Sequence, residues 1–175
     1  MKRIIALLAF SYVGLVILAN WLASKYVITV PFTTYLAPAG VLCIGAVLVI
    51  RDWLNQLVRT RNVIYLMLAA GVASYAVGVA AGWTSLQKIA VASLVAFLIS
   101  ETVELLVFLP IRRRSLTAGV ALSATVGNAI DSYLFLTLAF SSLAFFWGNF
   151  IGKMEMIAVG VALTACRRWL VPVPA

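Results

Sequence analysis

Residues 89–109 read IAVASLVAFLISETVELLVFL, an apolar run with two glutamates, Glu101 and Glu104, set inside it. A helix needs about 20 apolar residues to cross the hydrocarbon core of a bilayer. This stretch is therefore long enough to span as one helix, and its two carboxylates demand a reason for being there. Working outward, comparable apolar stretches occupy about 4–24, 39–58, 63–82, 116–140 and 143–166. The chain has 175 residues, of which 65% are hydrophobic and 10% charged. A soluble domain would carry about 25% charged residues, so this composition predicts an all-α membrane protein. The expected architecture is a six-transmembrane-helix bundle forming a single domain over 1–175, embedded in the lipid bilayer and with no room for a separate soluble domain.

The segments between these stretches are short. Lys25 to Pro38, rich in Pro, Thr and Tyr, reads as a loop. Arg59, Thr60, Arg61 and Asn62 read as a basic turn, and Gly82 to Lys88 as the next turn. Pro110 is expected to end the fourth helix ahead of Arg112, Arg113 and Arg114. The positive-inside rule sets orientation from such loop charges. Nine cations (Lys2, Arg3, Arg59, Arg61, Arg112, Arg113, Arg114, Arg167 and Arg168) fall on one side and two (Lys25 and Lys88) on the other, which predicts cytoplasmic amino and carboxyl termini. The first apolar run is long enough to span and lacks a convincing cleavage site, so no removable signal is expected. The net charge of +8 reads as orientation charge and not as a nucleic-acid surface. Cys43 and Cys166 lie far apart in apolar segments, and no disulfide is expected.

All five acidic residues, Asp52, Glu101, Glu104, Asp131 and Glu155, fall within predicted spans, together with Arg51 and Lys153. Each ionisable group costs about 2.5–3.5 kcal/mol at the centre of an isolated helix, or roughly 20 kcal/mol for the set. They must pair, protonate or face a hydrated cavity. Helical spacing puts Glu101 and Glu104 on one face, Asn128 and Asp131 on another, and Asn149 and Lys153 on a third. Lys153 and Glu155, two apart, point to different sides. Ala92, Ala96, Ser100 and Glu104 form a small-to-polar stripe on the fourth helix. Ala70, Ser74, Gly78 and Gly82, and Gly148 with Gly152, make small-residue ridges suited to close helix packing.

One reading makes the charges interhelical ion pairs, for example Lys153 with Glu101, with Arg51 and Asp52 acting as stabilising or gating groups near the cytoplasmic face. The other makes Glu101, Asn128 and Lys153 the centre of a solute site, because five acids against two cations leave a surplus that a ligand rich in N–H donors would satisfy.

Gly127-Asn128-Ala129-Ile130-Asp131-Ser132, followed by Phe135, Ala139 and Phe140, resembles the helix-five signature of the vitamin uptake transporter family, also called queuosine precursor transporters. Ala19-Asn20, Arg51-Asp52, Ser100-Glu101 through Glu104, Phe108 before a basic loop, and Lys153 support the likeness, although Asp is common in the family where Glu104 stands. The resemblance implies uptake of 7-cyano-7-deazaguanine or its aminomethyl relative across a bacterial or archaeal cytoplasmic membrane. It is also similar in architecture to the substrate-binding subunits of energy-coupling-factor vitamin transporters. The expected binding set is Glu101, Glu104, Asn128, Asp131, Lys153, Asn20 and Asn149. A carboxylate of Glu101 or Glu104 would accept the base's donor edge. Lys153 or Asn128 would donate to O6, Asp131 would contact the pyrrole N–H or orient Asn128, and Tyr133, Phe97 or Trp147 would stack on the ring.

Three function classes follow. The first is a solitary transporter and the second a binding subunit served by a separate ATPase, since no Walker motif is present. The third, an intramembrane enzyme, is disfavoured because the chain has no His and no HExxH or Cys/His pattern. No cofactor is expected, and a homodimer is compatible with the sequence.

Overall fold

The computed structural model describes residues 2–111 and 116–170, apart from some side chains within that range. Its elements are α1 (Lys2–Lys25), a hairpin of β1 (Val27–Thr29) and β2 (Leu36–Pro38), a 3-10 segment (Ala39–Cys43), α2 (Ile44–Leu57), α3 (Thr60–Ala80), α4 (Thr84–Ile111), α5 (Leu116–Phe140) and α6 (Phe146–Leu170). The fold is all-α apart from the hairpin. Among the described residues, α1, α3 and α4 are each long and apolar enough to cross a membrane.

Several expected boundaries shift. The segment 25–38 is a hairpin and not an open loop: β1 pairs antiparallel with β2, Val27 opposite Pro38 and Thr29 opposite Leu36. Tyr26-Val27-Ile28-Thr29-Val30 is a β-branched and aromatic run, the composition that suits a half-buried strand. The Val30 N–H donates to the Tyr35 carbonyl at 2.9 Å and closes the turn, with Phe32 at φ 59 on its tip. The second apolar stretch divides into the 3-10 segment and a shorter α2. Arg61 and Asn62 belong to the first turn of α3, and Lys88 to the early turns of α4. Gly82, at φ +67, stands in the α3–α4 turn and does not extend the helical ridge. α4 runs to Ile111, two residues beyond the expected end, with Pro110 inside its last turn; the ring there removes one helical N–H donor.

α4 and α5 pack most extensively, antiparallel, through the small-residue stripe. Ala92 and Ala96 form one buried cluster with Phe135, Leu136 and Ala139. Further along, a Cβ on Gly127 would stand 3.0 Å from the Glu104 carboxylate. This register sets Asp131 level with Ser100 and Glu101. A second buried cluster joins Tyr12, Leu54, Val63, Met67 and Ala70 of α1, α2 and α3. α2 packs along α6 closely enough that a Cβ on Gly45 would meet the Met156 carbonyl at 2.3 Å. Gly148 and Gly152 receive the hairpin and the 3-10 segment, not another long helix: a Cβ on Gly148 would lie 2.0 Å from the Leu36 carbonyl oxygen, and one on Gly152 would press on Val30 and Val41.

Candidate functional site

The interior charges form two pairs at similar depth. The Lys153 ammonium of α6 donates to the Asp131 carboxylate of α5. The Arg51 guanidinium of α2 donates to Glu101 Oε1 of α4 at 2.9 Å. The expected pairing of Lys153 with Glu101 is thus replaced. Sequence fixes depth along a helix but not which neighbour a side chain faces, and Asp131 on the adjoining α5 is the acid Lys153 reaches. Asp131 holds Lys153, while Asn128 bonds with the Phe150 carbonyl and the Ser132 hydroxyl.

The two pairs differ in exposure. Side-chain exposure is 10% for Lys153 and 22% for Asp131, against 22% for Arg51 and 43% for Glu101. Phe135 lies beneath Lys153, with the ammonium 5.8 Å from the ring centroid, so an aromatic face and a carboxylate both neutralise the cation. Glu101 is half open yet faces inward. It shares a helix face with Phe97, Glu104 and Phe108, all half-buried, whereas Leu98, Ile99, Thr102, Leu105 and Leu106 form the exposed face of α4. Phe97 packs into the Tyr12–Leu54 cluster alongside Ile50, the residue before Arg51. Tyr12, which sequence reasoning did not select, is therefore a neighbour of the Arg51–Glu101 layer. A tyrosine hydroxyl near the middle of the apolar first helix was the available signal.

Asn128 and Asn149 take different parts. The Asn128 carboxamide donates to the Phe150 carbonyl at 3.1 Å, and the Ser132 hydroxyl donates to Asn128 Oδ1 at 3.4 Å, so this residue ties α5 to the backbone of α6. Asn149 is 2% exposed, one turn from Lys153, and its Nδ2 has no hydrogen-bond partner among the described residues. Glu155 likewise keeps a buried Oε2 without a partner among them. Asn20 donates to the Ser74 hydroxyl at 3.0 Å and serves the α1–α3 contact. Glu104 lies against Gly127, on the same face as Glu101.

Of the expected stacking aromatics, Tyr133 and Trp147 are exposed, and Phe97 alone is half-buried on the inward side. The side chains of Asp52, Cys166, Arg167 and Arg168, and the residues Arg112, Arg113 and Arg114, lie outside the described set.

The arrangement sets a half-exposed, Arg51-paired carboxylate on α4 and two buried polar atoms without a partner among the described residues, Asn149 Nδ2 and Glu155 Oε2, on α6. No protein-family model, no curated protein and no solved structure matches the chain.

Proposed function

We propose that this chain spans the cytoplasmic membrane of a bacterium or archaeon six times, with both termini in the cytoplasm. We infer that it imports a queuosine precursor, 7-cyano-7-deazaguanine or 7-aminomethyl-7-deazaguanine. The observation that carries the reading is Glu101: a charged carboxylate 43% exposed on an inward helix face. A charge at that depth is tolerated where it faces water, a partner or a solute, and not hydrocarbon. Arg51 holds one oxygen of this carboxylate, and the N1–H and exocyclic amine of a deazaguanine would take its place in a bidentate manner. The buried Asn149 amide, which lacks a partner among the described residues, supplies a donor suited to O6, because a polar group left without one costs about 1–3 kcal/mol. Phe97 offers a ring on the same side. Lys153 with Asp131, and Asn128, serve this reading by fixing α5 against α6.

The test is binding and uptake of the cyano base by the full chain reconstituted in vesicles. Glu101→Gln is expected to weaken binding about tenfold or more, the worth of a hydrogen bond to a charged group, with the fold retained. Unchanged affinity in that variant, on a folded protein that binds the base, rejects the carboxylate site.

A second reading, a substrate-binding subunit of an ATP-driven energy-coupling-factor transporter, draws on small residues left uncovered. Ala69, Ala76 and Ala80 on α3, and Gly14 on α1, are exposed, and a Cβ on Gly14 would meet nothing within 4 Å. Such surfaces allow another helix to approach closely. Transport retained in vesicles holding this chain alone favours the solitary transporter. Transport that requires a co-purifying ATPase favours the subunit.

A further inference from the structure

A groove of ≈ 440 Å³ lies at the α4 N-terminal end of the bundle, and neither Glu101 nor Lys153 lines it. Val91, Ala92 and Val95 of α4 form its floor, with Tyr75 of α3 and Leu138 of α5 among its walls and Lys88 at one end. Ala92 is buried under the groove while Val91, Val95, Tyr75 and Leu138 remain exposed. A small residue on α4 between larger ones on α3 and α5 makes the depression. It is open rather than enclosed, so one flank of anything lying in it would face the surrounding medium.

Polarity is ordered along the groove. Lys88 stands near the start of α4, within two turns of Thr84, and has no carboxylate partner among the described residues. Below it the floor is aliphatic for about 10 Å at 1.5 Å per residue. A water-soluble anion would leave that floor unused, and a purely apolar molecule would make no use of the exposed ammonium. We propose that the groove binds an anionic phospholipid lengthwise, its phosphate-bearing headgroup on Lys88 and an acyl chain along Val91, Ala92 and Val95. The open flank then merges with the bilayer. This site is independent of the solute site and rests only on the chain's residence in a membrane.

The full chain is reconstituted in equal parts of phosphatidylglycerol and phosphatidylcholine and released into mild detergent, and retained lipids are counted by native mass spectrometry. Wild type is expected to retain phosphatidylglycerol in preference, and Lys88→Gln to lower that preference about fivefold, the weight of one basic side chain near an anionic surface. Val91→Trp, which fills the groove from an exposed position, is expected to reduce retention of both lipids. Lys25→Gln, which removes the ammonium standing 5.4 Å from the Trp83 ring and outside the groove lining, should leave the preference unchanged. Equal preference in wild type and Lys88→Gln overturns the proposal, as does an equal loss in Lys25→Gln or full lipid retention in Val91→Trp. Displacement of the lipid by millimolar inorganic phosphate alone would also overturn it, pointing to a plain anion site. Uptake is not part of the readout, so failure of the transport reading leaves this result interpretable.

Discussion

The Lys153–Asp131 and Arg51–Glu101 pairs are made of the same chemistry at similar depth, yet one is closed and the other open. Lys153 is packed over Phe135 and held by Asp131 in a wall that Asn128 also stitches to the α6 backbone. Arg51 reaches Glu101 across a more accessible gap between α2 and α4. Burial makes an ion pair expensive to break, because the surviving partner keeps its desolvation cost. Exposure makes it cheap to break. The closed pair is therefore the costlier to break and the open one the cheaper, which is what the proposed transport role asks of Glu101.

The strongest challenge to this contrast is Lys153→Met. It leaves Asp131 without its cation and is expected to destabilise the protein by about 3–5 kcal/mol, measured by unfolding in detergent. Adding Asp131→Asn should recover more than half of that loss; no recovery would remove the pinning role. Next comes Gly148→Ala, whose new methyl would collide with the Leu36 carbonyl. Overpacking of this kind costs about 1–3 kcal/mol, and protease sensitivity of the 26–38 hairpin should rise with it. Asn20→Ala strands the Ser74 hydroxyl and should cost about 1 kcal/mol in the same unfolding assay. The smallest stability effect belongs to Glu101→Gln, below about 1 kcal/mol, although its effect on binding should be large. A destabilisation of Glu101→Gln equal to that of Lys153→Met would erase the distinction between the pairs.

The apolar runs made most of the helices legible, since hydrophobic length is what a spanning helix needs, and 116–140 coincides with α5. Lys25–Pro38 misled because Pro31, Thr33 and Thr34 are turn residues, while the strand signal in Val27-Ile28-Thr29 is only a few residues long. Pro110 marked the end of α4 to within two residues, since the helix stops at Ile111. That Arg51, Glu101, Asp131 and Lys153 would need partners was readable from the cost of charge in lipid. Their partners were not, because spacing within one helix says nothing about rotation relative to the next. Gly148 and Gly152 show the same limit: close approach was predictable, but that a hairpin makes the approach was not.

The α4–α5 register also has a mechanical side. Both paired acids ride on these two tightly apposed helices, and both paired cations ride on α2 and α6, which lean on one another. Sliding one couple past the other would have to unfasten both links together, so the bundle behaves like a door with two bolts on one handle.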